Sequence, residues 1–339
     1  MKPLRLFLFA FIASTLFLTP IKAQNIRNRY AMGLAEDGNG GYTIKNAQAY
    51  EKMIGRDPYR LPKALVPYKR PPVRIFEKAA AEMEKIVPET LVYKKNVAGE
   101  DLPMMVYRSG KSNSPVVFFI HGGGWVQGTY TASPNFCKAL AGKYGITVVS
   151  IEYTFAGVSG ARMEDTVQDC YDAVEYVLSR AGEFGIDPER IGFVGSSAGG
   201  HLSACCALHF PQTKALAGWY GAYDLPYTMS VYAPESRPDR HHLYDVYLNG
   251  WDPDYIEKYS PVKMAESTSG LSFKAILFVG TADITAGPDN APRFKEALAK
   301  AGVKHVKVMT YPYVTHSIGL SYAGVEMFTK SLLLFAKAL

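Results

Sequence analysis

The order of apolar segments along the 339-residue chain predicts an α/β fold: a mainly parallel sheet with helices on both faces. Two observations carry this. Short, uninterrupted runs of β-branched and aromatic residues recur, as strands buried on both faces require, and stretches with helical spacing stand between them. The runs are Val116 to Ile120, Ile146 to Ile151, Ile191 to Val194, Ala275 to Val279 and Val306 to Thr310. Between the second and third, Val167, Cys170, Tyr171, Val174, Val177, Leu178 and Ala181 fall on one helical face. After the third, Ala198, Gly199, Gly200, Leu202, Ala204 and Leu208 continue as a helix of mostly small residues.

With 48% hydrophobic residues, the chain has apolar content for one large core. A formal charge of +6, about +3 without Lys2, Arg5 and Lys22, is too mild to point to nucleic acid. No repeat or low-complexity tract interrupts the pattern. No His-Glu-x-x-His, Cys-x-x-Cys or spaced carboxylate cluster is present, and the adjacent His241 and His242 chelate poorly, so no metal is expected. Neither is a nucleotide cofactor, because Gly-x-Gly-x-x-Gly and phosphate-loop spacings are missing.

At the amino terminus, Lys2 and Arg5 precede the apolar stretch Leu6 to Leu18, then Pro20 and Ala23. This is the pattern of a secretory signal over residues 1–23, cleaved after Ala23, which places the protein outside the cell or in the periplasm. The apolar stretch falls short of the roughly twenty residues that span a bilayer, so no stable membrane insertion is expected after cleavage. An uncleaved anchor is the rival reading. Residues 24–88 are polar, Tyr-rich and broken by Pro58, Pro62, Pro67, Pro71 and Pro72, with a helical stretch from Val73 to Ile86. They are expected to form an extension packing on the core, with a flexible linker as the alternative.

The chemistry sits at strand ends. The strand Ile191 to Val194 runs into Gly195-Ser196-Ser197-Ala198-Gly199, a Gly-x-Ser-x-Gly turn between strand and helix. Such a turn is too tight for a β-carbon at its flanks and lifts the Ser197 hydroxyl above the sheet edge, which makes Ser197 the candidate nucleophile and Ser196 the next in line. The strand Val116 to Ile120 ends in His121-Gly122-Gly123-Gly124-Trp125. Consecutive glycines let backbone N–H groups converge on the oxygen that gains charge when a carbonyl is attacked, so Gly123, Gly124 and Ala198 are the candidate oxyanion donors. His121 is expected to brace this loop rather than act as a base.

At these motifs the chain resembles the α/β-hydrolase superfamily, over roughly residues 89–339, and within it the esterases that carry His-Gly-Gly-Gly, including hormone-sensitive-lipase-like and bacterial carbohydrate esterases. The resemblance implies the chain order Ser, then Asp or Glu, then His. It points to Asp283, just past the family's seventh strand at Ala275 to Val279, with Asp289 as the alternative and a better candidate for capping the following helix. It points to His316 as the base, in the loop before the last helix, although Ser317 stands where many relatives have glycine. His305 falls at the opposite sheet edge, His209 ends a helix, His201 lies inside the nucleophile helix, and His241 and His242 sit in an insertion. The same resemblance places Cys137 and Cys170 on opposite faces of the sheet. Cys205 and Cys206 are adjacent, where a disulfide is strained, so four free thiols are expected.

The segment from Tyr223 to Leu271, after the sixth strand, is where such hydrolases carry a cap. It holds Tyr227, Met229, Tyr232, Tyr244, Tyr247 and Trp251, either as cap core or as a surface for sugar rings. Trp125 follows the glycine loop and is expected to line the acyl pocket. The function implied is a serine-dependent carboxylic-ester hydrolase acting on short acyl esters of small molecules or oligosaccharides, with acetyl groups of polysaccharide as the specific candidate. A prolyl-oligopeptidase-type peptidase, an arylformamidase-like amidase and a non-enzymatic binding protein are the alternatives.

Overall fold

The computed structural model describes residues 34–36, 42–44, 79–231, 244–312, 314–316, 318–320 and 323–339. The chain divides into two units, Met1–Arg70 and Pro71–Leu339. In the first, Leu34–Glu36 and Tyr42–Ile44 pair as an antiparallel ribbon. The signal-like segment, most of the 24–88 extension, Tyr232, His241, His242 and Ser317 lie outside the described residues.

The second unit is built on eight strands: β1 (Glu89–Lys95), β2 (Asp101–Tyr107), β3 (Ser114–Ile120), β4 (Thr147–Ile151), β5 (Ile186–Ser196), β6 (Thr213–Trp219), β7 (Lys274–Gly280) and β8 (His305–Tyr311). Their spatial order is β8-β7-β6-β5-β3-β4-β2-β1. The pairs β1/β2 and β2/β4 are antiparallel and all others parallel. All five strands read from the sequence are present, lengthened by a few residues at some ends.

The helices are α1 (Ala80–Glu84), α2 (Pro134–Tyr144), α3 (Met163–Leu178), α4 (Ala198–His209), α5 (Leu225–Val231), α6 (Pro253–Lys258), α7 (Pro261–Glu266), α8 (Asn290–Lys300) and α9 (Gly324–Ala338), with a shorter turn at Ala181–Phe184. None of the described helices is long and apolar enough to cross a membrane. Because side chains alternate across a strand, β3 and β5 feed two separate cores. Phe118 stacks on Phe193, 5.5 Å between centroids, under α3, α4 and α8; Phe119 meets Trp219 edge-on at 5.7 Å under α1, α2 and α9. This double coverage is why β3 reads as a continuous apolar run: Val116 to Ile120 are at most 1% exposed. Of the Val73 to Ile86 stretch, Ala80–Glu84 is helical and lies against α2, with Met83 and Ile86 in the second core.

The four thiols are free and buried, Cys137 in one core and Cys170, Cys205 and Cys206 in the other. Burial pushes the thiols of Cys137, Cys170 and Cys205 well above their ordinary range, so they act as small apolar groups. The insertion after β6 is continuous with the first core. Tyr247, Leu248, Ile256, Val262 and Ala265 bury into it, which makes Tyr247 cap core rather than an exposed platform.

Candidate active site

Parallel strands deliver their carboxyl ends to one edge of the sheet, where ligands of such folds bind. There β5 ends at Ser196 and α4 begins at Ala198, leaving Ser197 alone in the turn with φ 55° and ψ −120°. A left-handed serine costs of order 1–3 kcal/mol and persists only where its surroundings fix it. The surroundings here are backbone: a β-carbon on Gly195 would meet the carbonyl of Gly199, and one on Gly199 would meet those of Ile120 and His121. The two flanking glycines therefore let α4 press against the end of β3. Ser197 N–H donates to the Trp219 carbonyl at 2.9 Å, which closes the turn on β6.

The loop after β7 places Asp283 behind His316. Asp283 is 1% exposed. One of its carboxylate oxygens accepts from the N–H groups of Thr285 and Ala286 at 2.9 and 3.0 Å, and the other meets His316 Nδ1 at 2.8 Å. On the far side of the ring, His316 Nε2 lies 2.7 Å from Ser197 Oγ. Serine, imidazole and carboxylate thus form one line drawn from three loops. Asp289 is not part of it: it stands at the N-cap position of α8, but its side chain makes no capping bond there.

The glycine loop after β3 faces the same cavity, of about 610 Å³, lined by Gly123, Gly124, Trp125, Ser197, Ala198 and His316 among others. Gly123 and Gly124 have φ of 132° and 62°, conformations open to glycine at little cost. Among the described residues, the backbone N–H groups of Gly123, Gly124 and Ala198 donate to no backbone carbonyl in a loop or turn. They are available to an oxyanion. His121 braces the loop: Nδ1 lies 2.9 Å from the Gly122 carbonyl, Nε2 lies 2.6 Å from Glu152, and the ring stacks on Tyr153 at 4.4 Å. Glu152 also accepts from the Tyr130 N–H at 3.2 Å. From the insertion, the Tyr244 hydroxyl donates to the Gly124 carbonyl at 2.9 Å.

Trp125 is at the cavity but only 5% exposed, with φ 60°. Most of its ring is packed on His201 and Tyr247.

Several of these residues were not legible as site residues. Glu152 is the first residue after β4, and the register that pairs Ile120 with Ile151 sets it beside His121. Tyr220 follows β6, beside Ser197 because Trp219 pairs with Ser196. Its ring meets His316 edge-on at 5.1 Å. Burial holds that phenol at about 12, so it stays a hydrogen-bond donor. A carboxylate or tyrosine directly after a buried parallel strand is the signal that would have found both.

The family described as alpha/beta hydrolase fold matches residues 117–320 of the chain. A probable isoprenylcysteine alpha-carbonyl methylesterase of Oryza sativa subsp. japonica is 27% identical over 243 residues, 64% of this chain and 55% of that protein. A carboxylesterase of Mycobacterium tuberculosis is 29% identical over 250 residues, 68% of this chain and 76% of that one. The chain spans about half the length of the curated relatives it matches first. Among solved structures, Thermogutta terrifontis esterase 2 phosphorylated by paraoxon superposes with a TM-score of 0.58 at 26% identity, covering 73% of this chain and 91% of that one.

Proposed function

The chain belongs to the α/β-hydrolase fold family, and from that premise we propose that it is a serine-dependent hydrolase of carboxylic esters. The observation that carries this is the unbroken line from Ser197 Oγ through His316 to Asp283, at 2.7 and 2.8 Å. His316 Nε2 takes the Ser197 proton as Oγ attacks the ester carbonyl. Asp283, held by two backbone N–H groups, keeps Nδ1 as the protonated nitrogen and stabilises the imidazolium. The N–H groups of Gly123, Gly124 and Ala198 receive the charge that develops on the carbonyl oxygen. His316 then returns the proton to the leaving alcohol, and water repeats the sequence on the acyl-serine to release the acid.

For the substrate, we propose a short acyl group on a small or sugar alcohol, acetyl on polysaccharide fragments being the specific candidate. Two features support this. The cavity sets Trp125, Met229 and Ala222 beside the hydroxyl-bearing Tyr220 and Tyr244, a mixture suited to a small acyl group on a polar alcohol. The amino-terminal pattern of Lys2, Arg5 and Leu6 to Leu18 supports export, to the periplasm or beyond, where polymers are met.

Paraoxon is the direct test, since a serine that attacks carbonyls also attacks an activated phosphoryl group. Intact-protein mass should rise by one diethylphosphoryl group on the wild type, with the label mapping to Ser197, and Ser197→Ala should stay unlabelled. A panel of p-nitrophenyl esters, acetylated xylan, feruloyl esters and proline amides then ranks the substrates. Label on Ser196 would overturn Ser197 as the nucleophile, and turnover of the amides alone would overturn the ester reading.

A further inference from the structure

The mechanism leaves one buried imidazole unused. His201 lies in α4, four residues after the nucleophile, and is fully buried. Its backbone N–H donates to the Ser197 carbonyl at 3.1 Å. Nε2 lies 2.8 Å from the carbonyl of Tyr259, in the insertion between α6 and α7. A carbonyl only accepts, so Nε2 carries the proton and Nδ1 is left with a bare lone pair. That lone pair receives the indole N–H of Trp125 at 3.2 Å.

Trp125 needs such a hold. It follows Gly124 directly, and both residues are left-handed, at φ 60° and 62°. For tryptophan that conformation is strained and must be imposed from outside. Three bonds impose it: Ala156 N–H to the Trp125 carbonyl at 2.8 Å, the Tyr244 hydroxyl to the Gly124 carbonyl at 2.9 Å, and the indole to His201. Of the three, His201 alone sits on the nucleophile helix. We propose that His201 is a positioning residue that locks the oxyanion loop to the Ser197 helix by presenting an unprotonated Nδ1, fixed by the cap carbonyl of Tyr259, to the Trp125 indole. Without it, Gly123 and Gly124 still fold near the site but lose their register with Ser197 Oγ, and small misplacements of this kind are costly in rate.

The proposal rests on the ester-hydrolase reading above, and steady-state p-nitrophenyl acetate kinetics separates the two. Absence of turnover in the wild type would overturn that reading and not this one. Given turnover, His201→Gln keeps a donor for Tyr259 but no acceptor at the δ position, and Trp125→Phe removes the indole donor. Each should lower kcat about tenfold with KM within about twofold, and the double variant should lose no more than either alone. His201→Asn keeps an acceptor at the δ position and should lose less than His201→Gln. Multiplying losses in the double variant, equal losses in the Asn and Gln variants, or a loss carried by KM would overturn the proposal. If His201→Gln does not fold, Trp125→Phe with and without His201→Asn decides it, by the same test of non-additivity.

Discussion

The Ser197 turn and the glycine loop after β3, which the proposed reaction uses together, are held in different ways. The turn is made by subtraction, for with Gly195 and Gly199 lacking β-carbons the backbone of α4 settles on the carbonyls of Ile120 and His121 and holds Ser197 at φ 55°. The loop shares that subtraction, since β-carbons on Gly122 and Gly123 would meet the carbonyls of Ser196 and Gln127, but it also depends on added bonds. His121 on Glu152, Tyr244 on the Gly124 carbonyl and Trp125 on His201 are bonds from three separate elements to a segment that would otherwise wander. A site made by subtraction should fail all at once, by not folding. One held by added bonds should fail by degrees, in rate.

The largest effect belongs to neither scaffold but to what they hold. Ser197→Ala should lower ester turnover by several orders of magnitude with the circular dichroism spectrum unchanged, because a methyl fits where the hydroxyl was. His316→Ala should cost a similar factor and the double variant little more, since members of such a line act as a unit. Losses that multiply would mean His316 works elsewhere.

Next comes Gly199→Ala, the direct challenge to the turn. The added carbon lands on the carbonyls of Ile120 and His121, backbone that cannot step aside. Destabilisation of about 4 kcal/mol or more is expected, read as insoluble expression or a collapsed urea midpoint. A folded, active Gly199→Ala enzyme would show that the turn is held by something other than close approach.

The bridge at His201 adds a pH-dependent contribution to stability. Burial holds this imidazole down at about 4, against a partial offset from the Tyr259 carbonyl. Above about pH 6.5 it is neutral whether the chain is folded or not. Between 6.5 and 4 the unfolded chain takes up a proton that the folded one refuses, so stability falls as pH drops through that window, by about 3 kcal/mol in all. The Cys205 thiol, 3.6 Å from Nε2, is pushed up by burial and stays neutral there. Urea midpoints at pH 7 and 4.5 should therefore differ less in His201→Asn than in the wild type, and equal slopes would remove His201 from the account.

The loop's own failure should be graded. Glu152→Gln keeps the shape but weakens the anchor of His121, so kcat should drop about 10- to 100-fold while the protein folds. Loss of folding instead would erase the contrast between the two regions.

What the sequence made legible follows the same division. Subtraction leaves a mark in the residues themselves: Gly195 and Gly199 around Ser197, and His121 to Trp125 after Val116 to Ile120, stand together in the chain and could be read there. Asp283 and His316 needed the chain order that the family resemblance implies, with a strand end to place each. Added bonds leave no local mark, because Glu152 reaches His121 through the register of β3 and β4, and Tyr259 reaches His201 through the packing of an insertion on α4. His201 lies inside the nucleophile helix, away from the loop where the base is expected, and that location is what lets it bridge. Tyr244 was visible as a cap aromatic, but its bond to Gly124 depends on a hydroxyl direction that periodicity does not report.

Tyr220 should give the smallest effect and the finest test, since its ring and its hydroxyl can be removed separately. Its backbone is left-handed at φ 44°, its ring edge supports His316 at 5.1 Å, and burial keeps its hydroxyl protonated. Tyr220→Phe deletes only the hydroxyl and keeps the ring, so it should cost about 1 kcal/mol or less, at most a few-fold in kcat. Tyr220→Ala deletes both and leaves the imidazole free to rotate away from Ser197, so its loss in kcat should be clearly larger at similar KM. If the two variants lose equally, the hydroxyl rather than the ring positions His316, and the base would then be held, like the oxyanion loop, by an added bond rather than by shape.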